Sequence, residues 1–397
     1  MLQATVLGKQ VYDITGRELD IGLLGLAEFL PAALLVLVTG SMADRFNRKI
    51  IGSIAIAGEL LCSVLLGLYA LSDPTAVWPL FVIAVLFGTF RAFAAPSVRS
   101  LPPMVAPDGA LPRTIALYSA TWTSAAIIGP ASGGLIYASS PALAYFVSAV
   151  LIGAGVAFLL AVKIARPFVK DQPKDPAEKV SLHTALAGLR FIRKTPILLA
   201  AISLDLFAVL FGGAVALLPA IAEDRLHVGD VAYGWLRAAP GIGAAIMAVI
   251  LASRPVTRKV GRTLLFVVGL FGIATVVLGV TTSYFVAFVA LVILAGADMI
   301  SVYIRGTLVP LVTPDDKRGR VMAVENVFIG ASNELGAFES GVAAQAFGTQ
   351  TAVIGGGIAG ASIGFELAAD RTVGLLEMES ALAHHTTGRS IATFLES

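Results

Sequence analysis

Gly40-Ser41-Met42-Ala43-Asp44-Arg45-Phe46-Asn47-Arg48-Lys49 is a charged stretch set between two apolar runs, each long enough to cross a bilayer. Before it, Ile21 to Thr39 is interrupted by Glu28 alone, and after it Ile50 to Leu71 is interrupted by Glu59 alone. Runs of about 17 to 25 apolar residues match a hydrocarbon core roughly 30 Å thick. The decapeptide therefore reads as a short basic hinge joining two antiparallel spans.

The rest of the chain agrees. It is 57% hydrophobic and 14% charged, with mean hydropathy +0.86, against about 45–50% apolar and about 25% charged in an ordinary soluble domain. Lipid satisfies no backbone polar group, so the spans must be helices, and their continuous rather than alternating apolar character excludes a barrel. Spans are predicted at about 20–40, 49–71, 76–98, 113–138, 141–163, 197–221, 231–252, 262–281, 284–311 and 321–347, with a helix stub at 1–12 that reads as an incomplete first helix. A net charge of +2 with scattered basic residues gives no footing for a nucleic-acid partner. Cys62, the only cysteine, falls inside a span and reads as a small buried hydrophobe, which leaves no thiol metal cluster. No cleavable leader is evident at the start of the sequence.

Lys and Arg are strongly partitioned between alternate loops. The set at about 45–49, 99–113, 163–194, 254–262 and 317–320 holds twenty of them, whereas the opposite loops hold only Arg17 and Arg225. By the positive-inside rule the first set is cytoplasmic, which predicts a multi-pass protein of the inner (plasma) membrane. The polar stretch 164–195 reads as a cytoplasmic linker between two helical halves, 1–163 and 196–350, followed by a tail at 351–397 of different character.

In this position, Gly-x-x-x-Asp-Arg-x-x-Arg-Lys resembles the loop signature of the major facilitator superfamily. Tyr12-Asp13-Ile14-Thr15-Gly16, Ser203-Leu204-Asp205-Leu206-Phe207, the run Thr313 to Arg320 and the run Phe328 to Gly336 extend the likeness toward its enterobactin-exporter-like, drug-efflux branch. The resemblance covers about residues 1–350. It implies an all-α polytopic two-bundle fold and a secondary transporter rather than an enzyme. The expected protein is a proton-coupled antiporter that exports small amphipathic compounds, drug- or siderophore-like, as a monomer and without a cofactor. In that family the loop latches the halves, so Gly40, Asp44, Arg45, Arg48 and Lys49 become gating candidates, with the helix start near Arg320 as the partner expected for Asp44. The corresponding second-half loop, Ala252 to Arg262, keeps the bases but lacks the Gly and Asp.

Charges inside a membrane are costly, so each is a functional candidate. Asp205, Asp298, Arg305, Glu325, Glu334 and Glu339 are the foremost, and Glu28, Glu59 and Arg91 are weaker ones. Asp298 and Arg305, seven apart, share a helix face, and Glu325, Ser332 and Glu339 repeat at the same interval as a polar stripe suited to a water-lined cavity. A structural ion pair competes with a proton or substrate role for Asp205, Arg305 and Glu334. Pro31, Pro96, Pro130, Pro219, Pro240 and Pro310 mark expected kinks.

The tail opens with Thr351-Ala352-Val353-Ile354-Gly355-Gly356-Gly357-Ile358-Ala359-Gly360. A β-type run, a G-x-G-x-x-G turn, a helix to Ala369, a second strand at 372–376 and an acid, Glu377, follow in the order of a dinucleotide-binding fingerprint. This resembles the first segment of FAD-dependent oxidoreductases of the D-amino-acid-oxidase type. The likeness implies Gly355, Gly357, Gly360 and Glu377 as vestigial cofactor contacts, with FAD held only if the domain were complete. The same stretch admits a second reading as a substitute twelfth membrane helix, its glycines serving helix packing. A membrane-linked flavoprotein and a truncated or fused gene product of little activity are the competing readings of the whole chain.

Overall fold

The computed structural model describes residues 1–45, 47–107, 109–162, 182–256 and 260–369, and among them there is no strand. The first bundle comprises α1 (Leu2–Thr15), α2 (Glu18–Arg45), α3 (Arg48–Ala70), α4 (Trp78–Arg99), the short α5 (Pro102–Val105), α6 (Leu111–Tyr137) and α7 (Pro141–Ala161). After α8 (Leu182–Lys194), the second comprises α9 (Pro196–Phe211), the short α10 (Leu218–Ala220) running into a π turn at Ile221–Arg225, α11 (Asp230–Ser253), α12 (Val260–Val280), α13 (Tyr284–Val312), α14 (Asp315–Phe347) and α15 (Thr349–Ala369). By length and composition six of the described helices can cross a membrane alone: α3, α4, α7, α11, α12 and α13. Large apolar side chains such as Val150, Phe158, Phe266 and Phe285 point outward, as a lipid-facing surface requires and a water-facing one would not tolerate.

Local chemistry sets the helix ends. Gly16, at φ +59°, terminates α1 in the left-handed conformation and returns its N–H to the Tyr12 carbonyl (2.7 Å). Asn47 caps α3 by accepting the Lys49 N–H at 3.0 Å, and Ser140 caps α7 ahead of Pro141. The expected hinge at 40–49 is thereby narrowed: α2 continues helical through Arg45 and α3 begins at Arg48. The predicted span at 197–221 is broken. Gly212-Gly213 stop α9 after Phe211, and the non-helical segment that follows is tolerated because it is buried against α14 rather than exposed to lipid.

The start of the tail follows the second of its two readings, a helix, and not the first. Residues 349–369 form one helix, α15, with Thr351 to Ile354 inside it, so the β-type run and the glycine-rich turn into a helix N-terminus do not exist. The glycines serve packing instead. A Cβ on Gly356 would lie 2.0 Å from the Phe211 carbonyl oxygen, and one on Gly357 would lie 3.0 Å from the Gly272 carbonyl, so α15 seats backbone-close on α9 and α12. The expected pyrophosphate contacts of Gly355, Gly357 and Gly360 are therefore not formed, because a continuous helix ties up the N–H groups that a phosphate would need. Glu377 and the predicted second strand lie outside the described residues.

The two bundles meet along α2 with α14 and α6 with α11. The closest approach is at Gly134 and Gly234, where a Cβ on Gly134 would fall 2.4 Å from the Asp230 carbonyl oxygen. The close contacts made by glycines run over Glu18–Phe29 of α2 against Gly330–Gly341 of α14, and over Ala126–Gly134 of α6 against Asp230–Gly241 of α11. All of them lie toward the end away from the basic loops. Toward the basic loops α6 stands clear on successive positions, with Leu117 60% and Trp122 49% exposed, so the cleft between the halves opens on that side.

Candidate functional site

Three groups of charge occupy the interior. The first lies in the second bundle, where α9 supplies Asp205, α13 supplies Asp298, Ser301 and Arg305, and α14 supplies Glu325. Arg305 is 2% exposed. Its Nη2 lies 2.6 Å from Asp205 Oδ1 and its Nη1 lies 3.8 Å from Glu325 Oε1, while Ser301 Oγ donates to Asp205 Oδ1 at 3.3 Å. Arg305 Nε has no acceptor among the described residues. Asp298 sits two turns back along the same helix face and lines a small cavity with Asp205, Val209, Val268, Phe271 and Ser301. Among the described residues it forms no ion pair. Asp298 and Arg305 thus share a face as the spacing implied, but only Arg305 finds partners on other helices.

The second group stands at the boundary between the bundles. Arg91 of α4 lies 3.7 Å from Glu28 of α2. Glu334 of α14 faces α2 at Gly25, whose Cβ would approach its Oε2 to 3.3 Å. Glu28 lies within the electrostatic reach of Arg91, Glu334 and Arg237, and Glu59 within that of Arg91. Arg237 of α11 also donates from Nη1 to the Val215 carbonyl (2.8 Å), beside the break after α9. Arg237 escaped the sequence reading, although a basic residue inside a predicted span was signal enough.

Two members of the predicted polar stripe, Glu325 and Ser332, are buried. Glu325 packs beside Arg305 and Ser332 is 2% exposed, its hydroxyl donating to the Ile329 carbonyl of its own helix. About 21 Å of helix separates Glu325 from Glu339, so the stripe spans several environments and is not one site. Glu339 is half-buried in the part of α14 that packs toward the closed end.

The third group seals that end, and only its residues' polarity, not their partnership, was visible in sequence. Lys9 of α1, 6% exposed, pairs with Asp13 one turn away, with Glu223 Oε2 at 2.9 Å and with Asp230 Oδ1 at 3.4 Å. The last two belong to the second bundle. Tyr12 donates to Asp224, Tyr137 donates to Asp13 Oδ2 (2.5 Å) and the Tyr233 hydroxyl donates to the Thr5 carbonyl (3.1 Å). Thr349 Oγ1 also crosses to Glu18 Oε1 at 2.8 Å. One cation thus ties the halves together where the cleft is shut.

Of the loop candidates, Lys49 takes a definite role. Its Nζ donates to the Leu160 and Val162 carbonyls, each at 2.8 Å, capping the C-terminus of α7. Arg48 opens α3. Gly40's surroundings and the side chains of Asp44, Arg45 and Arg320 lie outside the described residues, and so does the expected latch.

Comparison with known proteins agrees with this arrangement. The sequence signature of the Major Facilitator Superfamily matches residues 4–337. The chain is 28% identical over 363 residues to the MFS-type transporter YfiS of Bacillus subtilis (strain 168), covering 88% of this chain and 84% of that one. It is 26% identical over 352 residues to the multidrug efflux pump Tap of Mycolicibacterium fortuitum, covering 84% and 82%. Among solved structures it superposes on a bacterial homologue of the human lysosomal transporter Spinster in an inward-facing, unoccupied conformation, with TM-score 0.69, 16% identity and 93% of each chain covered. The D-xylose–proton symporter gives TM-score 0.65 at 14% identity, covering 92% and 95%. At such identities these two likenesses speak of the fold.

Proposed function

The chain belongs to the Major Facilitator Superfamily, and from that premise we propose that it is a proton-coupled exporter of small amphipathic compounds. Transporters of this fold work in a lipid bilayer on small molecules, are not enzymes and need no cofactor. Export is favoured by the kinship with a multidrug efflux pump and by the cleft, which opens on the face whose loops are basic. We place that face in the cytoplasm of a plasma-membrane protein on the loop charge asymmetry. One chain supplies both bundles and the cleft between them, and we take the monomer as the working unit.

The observation that carries proton coupling is the Asp205, Asp298, Arg305 and Glu325 group. Asp205 and Asp298 line one cavity, and a single guanidinium serves both Asp205 and Glu325. A proton arriving on Asp205 removes one partner of Arg305 and leaves the cation to Glu325 on α14, the helix that borders α2 across the cleft. Protonation thereby alters the forces on a helix that must shift when access alternates. Glu334, Glu28, Arg91 and Arg237 stand at the cleft boundary, where they suit contact with the charged end of an amphipathic substrate.

The test is efflux in vesicles under an imposed pH gradient across a panel of amphipathic dyes and siderophores. Wild-type protein moves at least one of them in a gradient-dependent way. D205N and D298N each abolish the gradient dependence and leave downhill exchange. Gradient-driven efflux that survives either change removes that carboxylate from the coupling scheme, and no movement of any panel member refutes export of this class.

A further inference from the structure

We propose that α8 is a docking surface for anionic phospholipid headgroups, mechanically joined to α14. The chain turns by 105° between the Gly188–Lys194 part of α8 and α9. With α9 taken as the start of the span predicted at 197–221, α8 lies close to the membrane plane. Thr195 enforces the turn: it is extended (φ −111°, ψ 95°), as a residue before proline must be, and Pro196 then starts α9.

From Gly188 to Lys194, α8 is two-faced. Gly188 and Ile192 are buried, and Ile192 joins the core cluster that contains Val309 of α13 and Val321 of α14. Arg190, Arg193 and Lys194 are exposed, and their spacing of three and four puts them on one stripe of the helix. Among the described residues no carboxylate pairs with any of the three. These three cations, without a carboxylate partner among the described residues, lie within about a turn of one another, and Ile197, Leu198 and Leu199 of α9 begin three residues further on. Depth and charge together therefore favour a lipid phosphate over a soluble anion, and long Arg and Lys stems let the charges reach that layer.

The flank of the same helix carries the mechanical link. Phe191 of α8 lies under Lys317 of α14, with Nζ 5.1 Å from the ring centroid. Further along, α14 presents Glu325 to Arg305. A headgroup that holds α8 at the interface therefore holds the start of α14. The lipid contact stands without any reading of transport, and only an effect on efflux would rest on that reading.

The experiment uses the full chain in nanodiscs of phosphatidylcholine with increasing phosphatidylglycerol, comparing wild type, the triple variant R190Q/R193Q/K194Q and a control, R254Q/R262Q, altered in another basic loop. The readouts are thermal unfolding and lipid retained in native mass spectrometry. Phosphatidylglycerol is expected to raise the unfolding temperature of wild type and control alike and to remain bound to both. The triple variant is expected to lose the shift and to retain anionic lipid roughly a hundredfold more weakly, at about fivefold per basic residue. R190K/R193K keeps the charges, is expected to behave as wild type, and covers the case in which the triple variant fails to fold. Equal response of triple variant and wild type overturns the proposal, as does equal loss in the control or the same stabilisation by inorganic phosphate in neutral nanodiscs.

Discussion

Arg305 binds two carboxylates from two other helices and is itself almost fully buried. Removing a buried cation in this way strands both acids, a change that typically costs about 3 to 5 kcal/mol. Arg305→Gln is therefore expected to lower the unfolding temperature of the purified protein clearly, and R305Q/D205N to recover part of that loss. Additive losses in that double-mutant cycle would mean that the pair is not coupled. Lys9 poses a different question, because its neighbour Asp13 belongs to the same helix while Glu223 and Asp230 belong to the other bundle. Lys9→Gln should free the closed end without stranding the core. With spin labels at Ser139→Cys and His227→Cys in a Cys62→Ala background, the expected result is a larger population of long distances in the Lys9 variant. An unchanged distance distribution would show that the ion cluster does not hold the end shut. Sequence alone named Asp205, Arg305 and Glu325 because charge inside an apolar run stands out. It did not pair them, since residues a hundred positions apart meet only once three helices have packed.

At the scale of elements, long spans were legible because lipid imposes their length and permits little else. The placement of α3, α4, α6, α7, α11, α12 and α13 follows the apolar runs to within a few residues. The failures share a cause. In α9 the break at Gly212-Gly213 depends on packing against α14, in α8 a helix lies within a stretch read only as a polar linker, and in α15 the glycines answer to neighbours that local sequence does not contain. The α15 reading can be tested directly. Gly355 has nothing within 4 Å of its Cβ position, whereas Gly356 would drive a Cβ to 2.0 Å from the Phe211 carbonyl. Gly355→Ala is expected to be neutral or to stabilise by about 0.4 to 1 kcal/mol, and Gly356→Ala to destabilise by about 1 to 3 kcal/mol. Thermal unfolding of the two variants gives the answer. The reverse order of stability would argue against the packed helix.

For the whole molecule, the loop charges and the direction of the cleft make one joint prediction. Single cysteines placed at Ser139 and at Ser253 in a Cys62→Ala background should differ in labelling of intact cells by a membrane-impermeant maleimide, Ser139→Cys reacting and Ser253→Cys staying silent until lysis. The opposite pattern inverts the proposed topology and with it the direction of transport. The two-bundle fold was legible from span count and loop bias, whereas the posture of the halves was not, because it is set by contacts such as Gly134 with Gly234 and Lys9 with Glu223. That first contact joins bare backbone to bare backbone and the second is ionic, with the Glu223 side chain about half in water. Dissolved salt reaches the half-exposed Glu223 carboxylate, yet a 2.9 Å contact to a nearly buried Lys9 is screened only weakly, and the backbone contact is left alone. On the proposed topology, the outer door of the transporter is therefore held shut by much the same force whatever the salinity of the cell's surroundings.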